Sequence, residues 1–223
     1  FRGVASVETA VEFESVRFQK TDFSIEPELE LDLADWGRIT AIGRLRFDAL
    51  DRLEPGGSPG QDVRAPQTRR LFIGQHGDLE LRELYWDFDV GNSYIRLGKQ
   101  QVVWGQADGL RVLDVVNPLD FREWILGDLE DRRIPTWMAN VEIPVGNLNV
   151  QLLWVPDHSY DDLADFNGRF GLTSPIFVPR PPDDLTLTAL PGIADTNRPD
   201  RFIRDDDYGV RLSGFFGGWD LSL

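Results

Sequence analysis

Apolar and polar residues alternate along much of the chain, in runs that meet at short turns. In Val141–Trp154 (VEIPVGNLNVQLLW) the turn is Gly146–Asn147, and Gly at the first of two loop positions is typical of a type II′ β-hairpin. Alternation on both sides gives this hairpin one apolar and one polar face, because successive side chains of a strand point to opposite faces. The predicted cross-strand pairs are Val141–Leu152 and Ile143–Val150 on the apolar face and Glu142–Gln151 on the polar face.

Three more hairpins follow the same pattern. Their predicted turns are Gly91–Asn92, Gly217–Gly218 and the three-residue turn Asp35–Gly37. A change of face near Arg82 and Glu83 predicts a β-bulge. The N-terminal run predicts one more strand, with a break in phase near Ser15 and a short link at Gln19–Phe23, which makes about nine strands in all. The predicted polar pairs are Asp87–Arg96, Glu28–Arg44 and Glu26–Arg46.

The connections between these strands are of two kinds. The tight turns alternate with three long polar segments, Asp51–Gly77, Gln106–Arg133 and Pro156–Asp206. If the strands run alternately up and down, all tight turns lie at one end of the sheet and all long loops lie at the other. Outer-membrane barrels have this asymmetry, and strands of roughly 9–13 residues are long enough to cross a bilayer.

The predicted fold is therefore all-β, an antiparallel up-and-down transmembrane β-barrel that forms a single domain over residues 1–223. A soluble β-sandwich with one buried face is the alternative, since it also produces alternation. Opposite charges at paired polar positions and aromatic residues near the strand ends favour the membrane. The aromatic residues are Trp36, Tyr94 and Trp219 by the tight turns and Trp104, Trp137 and Trp154 toward the long loops.

Composition narrows the classes of partner. The formal net charge of −15 argues against nucleic acid as a partner, because phosphate binding needs a basic surface. The chain has no cysteine, and no cofactor or metal is predicted. Asp205–Asp207 offers carboxylates to calcium or to lipopolysaccharide through divalent ions, although a solvated run of like charge is the simpler interpretation. We expect outer-membrane lipid and lipopolysaccharide as partners, and a protein of a transport complex as a further one.

The segment Tyr94–Glu142 resembles a group of proteobacterial outer-membrane β-barrel proteins that form a family of unknown function. The matching elements are Leu97-Gly98-Lys99-Gln100, Trp104-Gly105, Asn117-Pro118-Leu119-Asp120, Arg133-Ile134-Pro135 and Trp137-Met138. The resemblance implies a porin-like or export barrel, in some cases linked with transport of hydrophobic molecules. Members of the group are longer, and this sequence stops inside its last predicted strand. We therefore expect it to be the N-terminal portion of a longer barrel in the outer membrane of a Gram-negative bacterium.

The expected function is passage of a small solute or of a hydrophobic or amphipathic molecule. The predicted lumen residues are Glu28, Glu30, Asp32, Arg44, Arg46, Asp87, Arg96, Glu142 and Gln151. Asn117 and Pro118 predict a helix start inside the second long loop, with Phe121, Trp124, Ile125 and Leu129 on one side. Such a helix would either narrow the lumen or cap it from outside. Its predicted charged and aromatic residues are Asp120, Arg122, Glu123, Trp124, Asp128 and Arg132.

Two other functions compete with transport. One is a closed structural or partner-docking barrel that acts through its loops. The other is a hydrolase, suggested by the sequence Asp157-His158-Ser159. Catalytic triads are defined in space, however, and adjacent residues seldom point at one site, so no enzyme is predicted.

Overall fold

The structure is a computed structural model that describes residues 1–13, 16–50, 63–105, 114–124, 126–163, 170 and 203–223. Nearly all of its regular structure is β-strand. The strands are β1 (Arg2–Glu12), β2 (Arg17–Asp32), β3 (Arg38–Asp48), β4 (Leu71–Ile73), β5 (Gly77–Val90), β6 (Ser93–Gln100), β7 (Asp120–Phe121), β8 (Thr136–Val145), β9 (Leu148–Val155), β10 (Asp162–Leu163), β11 (Asp207–Phe216) and β12 (Trp219–Ser222). A 3-10 turn (Ala34–Trp36) and the short helix α1 (Leu129–Arg132) are also present.

One antiparallel sheet contains ten of the described strands, nine of them in the order β1-β2-β3-β5-β6-β8-β9-β11-β12. If the short strands β4, β7 and β10 are left aside, each strand of the sheet pairs with the next strand along the chain, as predicted for an up-and-down arrangement. The short strand β4 adds to β5, and β7 pairs with β10 in a separate two-stranded sheet. Among the described residues, β1 and β12 are the two edges of the main sheet and do not pair with each other. None of the described helices is long and apolar enough to cross a membrane.

The predicted two-residue hairpins are confirmed. Ile143 lies opposite Val150 and Glu142 lies opposite Gln151. In the other hairpins, Asp87 pairs with Arg96 and Phe216 pairs with Trp219. The bulge is confirmed as well, because Ile42 pairs with Glu83 while Gly43 pairs with Leu81, which leaves Arg82 as the extra residue.

The register predicted for the β2–β3 hairpin was wrong by two residues. Asp32 pairs with Arg38, so the connection is Leu33–Gly37 and contains the 3-10 turn instead of a three-residue loop. The predicted pairs Glu28–Arg44 and Glu26–Arg46 are therefore absent, and Arg44 donates a hydrogen bond to Glu26. A shift of two residues keeps every side chain on its predicted face.

The prediction for the N-terminal region was wrong about the position of the turn. The segment Gln19–Phe23 is not a link, because it lies within the 16-residue strand β2. The chain turns between Glu12 and Arg17 instead, near the predicted break in phase. Lys20 and Asp22 face the covered side of the sheet, and their polarity made a strand segment resemble a loop.

The two faces of the main sheet differ in an unusual way. The outer face carries large apolar side chains that are exposed, such as Phe47 at 49% and Val210 at 62%. The inner face carries charged and amide side chains that are buried beneath the loops, such as Lys20, Glu80 and Asn140. Soluble domains normally have the opposite arrangement, with their apolar face in the core.

A small apolar cluster lies on the inner side of the sheet. Val102, Met138, Leu153 and Val155 are its buried members, with Trp104 and Val116 packed against them. The Trp104 indole donates to Gln151 at 2.8 Å, and Tyr94 shares the inner face with its partner Glu142. Trp104 and Tyr94 therefore lie on the inner face, so these two residues do not support the membrane argument from aromatic residues near the strand ends. Trp36 and Trp219, by contrast, are mostly exposed near the tight turns.

Candidate functional site

The second long loop folds back over the inner face. We call its described residues, 114–124 and 126–133, the inner loop. The predicted helix beginning at Asn117 and Pro118 was wrong, since the only helix among the described residues of the loop is α1, one turn long. Leu119 forms a β-bridge with Arg133, and positive φ angles at Trp124 (59°) and Gly127 (76°) interrupt any helical run. Ile125 lies outside the described residues.

Asn117 fixes the base of the inner loop. Its side-chain oxygen accepts a hydrogen bond from the backbone N–H of Val102 at 2.8 Å. Its Nδ2 group lies 3.2 Å from the Gln100 carbonyl oxygen, 3.1 Å from the Ile134 carbonyl oxygen and 3.1 Å from Thr136 Oγ1. Asn117 therefore joins the ends of β6 and β8 to the loop, which explains why it is not a helix cap.

Ion pairs join the inner loop to β2 and β3. The Glu123 carboxylate lies 2.6 Å from Lys20 Nζ and 3.7 Å from Arg46 Nη1. Asp131 lies 3.1 Å from Arg44 Nη2. Three of the cationic inner-face side chains are therefore in contact with carboxylates of the loop, and the loop lies against the sheet instead of extending away from it.

A second group of ion pairs joins the inner loop to its neighbouring loops. Arg122 binds Asp120 with several hydrogen bonds and lies 3.2 Å from Asp162, while Arg64 lies 3.6 Å from Asp120. Burial would raise the pKa of Asp120, but the positive charge and hydrogen bonds of Arg122, with Arg64 beyond, hold that pKa well below its usual range. This carboxylate is therefore ionised at neutral pH.

Other buried charges lie deeper on the inner face. Arg64 contacts Glu80 at 2.6 Å, and Arg46 contacts Asp78 at 3.2 Å. The guanidinium of Arg82 donates to backbone carbonyls of the loop, at Arg133 (3.1 Å) and Glu130 (3.3 Å). The sequence prediction included Arg46 but missed Arg64, Asp78, Glu80 and Arg82. Asp78 and Glu80 follow the polar alternation of β5 and could have been found from it, whereas nothing in the Pro/Gly-rich segment marks Arg64.

The predicted lumen residues all lie on the inner face, but they form separate groups. Arg44 and Arg46 lie under the inner loop, as described above. Near the tight turns, Arg2 binds Glu28 at 2.6 Å and approaches Glu30 at 3.7 Å, and the Asp32 carboxylate accepts from the backbone N–H of Ala34 at 3.1 Å.

The third group lies on β5, β6, β8 and β9. Asp87 binds Arg96 at 2.6 Å, and the Arg96 guanidinium lies 4.1 Å from the centre of the Tyr85 ring. Gln151 donates to Asn140 at 3.1 Å and lies 3.4 Å from Glu142.

The predicted residues of the inner loop have different environments. Asp120, Arg122 and Glu123 make the buried contacts given above, and Asp128 is exposed immediately before α1. The Trp124 ring lies 6.5 Å from that of Phe121, with 36% of the residue exposed. Arg132 donates to the Trp124 carbonyl at 3.3 Å.

A cavity of about 100 Å³ remains between the inner loop and the sheet. The sheet contributes Lys20, Arg44 and Arg46, and the loop contributes Glu123, Leu126 and Gly127. Both signs of charge line this space, so it suits water and small polar solutes. It is the candidate functional site.

The geometry around His158 does not form a Ser–His–Asp relay. The Ser159 hydroxyl donates to the Asp157 carboxylate at 2.6 Å without an imidazole between them. His158 Nε2 instead lies 3.5 Å from Asp206, which also accepts the Trp154 indole N–H at 2.7 Å. Within the described part of the chain, no three acidic or histidine side chains are grouped to hold a metal ion.

A family model described as "Protein of unknown function (DUF1302)" matches residues 12–223. The chain belongs to the DUF1302 family. The match includes the inner loop and every strand of the main sheet except most of β1. The expected membership in a family of unknown function is thus confirmed. No curated protein and no solved structure matches the chain.

Proposed function

We propose that this chain forms part of a β-barrel in the outer membrane of a Gram-negative bacterium, where its inner face lines a passage for a small solute or an amphipathic molecule. The observation that carries the proposal is the inverted sheet, with apolar side chains exposed on the outer face and charged side chains buried on the inner face. An outer face of this kind is suited to contact with lipid, and a polar interior is expected of a membrane barrel.

The energetic argument compares lipid with water. Leu31, Phe47 and Leu152 are 47%, 49% and 39% exposed, and each would leave apolar area in water at a cost of roughly 25 cal/mol per Å². The same sheet buries Glu80 and Lys99 on its other side, where a soluble protein would place its apolar core. Contact of the outer face with acyl chains removes the first cost, and the second feature is the polar interior typical of a membrane barrel.

The strands and their connections fit the same interpretation. β3 has 11 residues, β5 has 14 and β8 has 10, which suffices for a tilted span of about 9–11 residues. The tight turns at Gly91 and Gly146 lie at one end of the sheet, and the inner loop leaves from the other. Short turns on the periplasmic side and long loops outside are typical of outer-membrane barrels.

The position of the inner loop favours a narrowed passage over an open one. It covers the charged part of β2 and β3 and leaves a cavity lined by both signs of charge. Loops folded into a lumen restrict pores in this way. The small size of the cavity, about 100 Å³, also favours the second candidate, a closed barrel whose loops bind a partner protein.

Two measurements on the full-length protein test the proposal. For the membrane, cysteines at Asn147 and Gln75, which lie at opposite ends of the sheet, should react with an impermeant reagent from opposite sides of the outer membrane. Labelling of both from one side would contradict the arrangement.

For the passage, residues 123–128 are replaced by two glycines and the conductance is measured in planar bilayers. The shortened loop should increase the conductance. An unchanged conductance together with lost capture of a partner protein would instead establish the docking barrel.

A further inference from the structure

The tip of the inner loop, residues 123–124 and 126–128, contacts the sheet through a carboxylate. Glu123 lies 2.6 Å from Lys20 Nζ and 3.7 Å from Arg46 Nη1. The rest of the tip is partly exposed, with Trp124 at 36% and Leu126 at 40%, and Leu126 also lines the cavity above the sheet. Among the described residues, Glu123 therefore supplies the ion pairs that hold the tip against β2 and β3.

The two ends of the inner loop are fixed more firmly than the tip. At one end, Asn117 is 1% exposed and hydrogen-bonded to β6 and β8. At the other end, Arg82 of the sheet donates to the carbonyls of Glu130 and Arg133. The tip lies between these two attachments, so it can move while both ends of the loop stay in place.

The backbone of the tip is left-handed at two described residues. Trp124 and Gly127 both have positive φ, at 59° and 76°. A Cβ added at Gly127 would meet nothing within 4 Å, so glycine is needed there for its backbone conformation and not for close packing. No described residue of the tip belongs to a helix or a strand, so regular secondary structure does not fix the position of the tip.

Release of the tip would leave the cations of the sheet compensated. Without Glu123, Lys20 retains Glu8 at 2.6 Å and Asp22 at 3.3 Å. Arg46 retains Asp78 at 3.2 Å. A broken buried ion pair is costly chiefly because one charge remains unpaired, and here that cost is avoided. The cavity beneath the tip also shows that the tip is not packed into a solid core.

We propose that the tip is a gate over the inner face and that the contact of Glu123 with Lys20 and Arg46 is its latch. The gate would regulate the proposed passage. It depends on the proposed function only in one respect, the expectation that opening increases conductance. The movement of the tip is a separate property and has its own measurement.

The test compares Glu123→Gln with Glu130→Gln. Both changes remove one carboxylate from the inner loop, but the side chain of Glu130 is exposed, and only its backbone carbonyl contacts the sheet. In planar bilayers, Glu123→Gln should lower the ratio of closed to open states about tenfold, the effect of losing one charge-assisted hydrogen bond. Glu130→Gln should leave that ratio near the wild-type value.

A distance measurement makes the test independent of conductance. The chain has no cysteine, so Ser6→Cys and Leu126→Cys, at two positions that line the cavity, can carry a specific pair of spin labels. In folded, membrane-inserted protein, Glu123→Gln should lengthen the distance between the labels, whereas Glu130→Gln should not. A distance equal to that of the control refutes the gate, whether or not the protein conducts. A lengthened distance in a protein that does not conduct upholds the gate and refutes the passage.

Discussion

Replacing Asn117 by alanine should destabilise the fold more than any other asparagine-to-alanine change in the described sheet and loops. The side chain is 1% exposed and accepts from the Val102 N–H at 2.8 Å. Alanine would leave that N–H buried without an acceptor, at about 1–3 kcal/mol. The amide hydrogens can serve two of their three acceptors at once, and each lost bond adds about 1 kcal/mol. The expected total is roughly 3–5 kcal/mol.

Urea unfolding of the full-length protein in lipid vesicles measures this loss as a change in the free energy of unfolding. Asn149→Ala is the matched control, because Asn149 lies on the same face and donates to Glu142 at 3.1 Å while remaining partly exposed. Its expected cost is below about 1 kcal/mol. Equal losses for the two variants would refute the view that Asn117 anchors the base of the inner loop.

Three further changes test the faces, the interior and the loop charges. Leu152→Arg should cost on the order of 2–4 kcal/mol in folding into vesicles, well above Leu152→Ala, and similar losses would contradict a lipid-facing position. Gly209→Ala places a Cβ 2.7 Å from the Trp104 ring, so its urea midpoint should fall further than that of Gly43→Ala, whose Cβ meets nothing closer than 3.8 Å. Because the pKa of Asp120 is lowered in the folded state, its contribution to stability is complete above about pH 3.9 and is lost as the pH falls below that value. Asp120→Asn should therefore reduce the acid-induced loss of stability between about pH 4 and 2, and an unchanged acid profile would exclude this role.

The existence of the hairpins was predictable because two local signals agree there. Alternation fixes the faces, and a two-residue turn such as Gly146–Asn147 fixes the register. At Leu33–Gly37 only the first signal is informative. A three-residue loop and a five-residue connection give the same parity, so the faces were predicted correctly while the partners of Glu26 and Glu28 were not.

The polar side of the sheet caused the error near the N-terminus. Lys20 and Asp22 lie near the start of the long strand β2 and are buried among ion pairs. In the sequence, the polar run Gln19–Asp22 has the composition of a link. Composition alone does not distinguish a strand with buried polar residues from a loop. The residues that cover such a strand, such as Glu123, lie far away in the chain and leave no sign in the local sequence.

The same reason limits prediction of the site. Asn117 followed by Pro118 satisfies the local rule for a helix start, but tertiary hydrogen bonds to β6 and β8 use the side chain instead. The sequence indicated that the charged inner loop is a folded element. The cations that it meets on β2 and β3 depend on pairing across about a hundred residues, which no local pattern contains.

The distribution of ion pairs separates the parts of the inner face that hold the fold from the part that can move. Arg64 and Glu80 are 4% and 3% exposed and lie 2.6 Å apart, so removing either would leave a deeply buried charge short of its nearest partner. Lys20 is different, because its carboxylate partners come from β1, β2 and the inner loop. Redundancy of this kind adds little to stability, since the second and third carboxylates also repel each other. It does allow one partner to leave while the cation stays neutralised, which is the electrostatic condition that a gate over a charged surface has to meet.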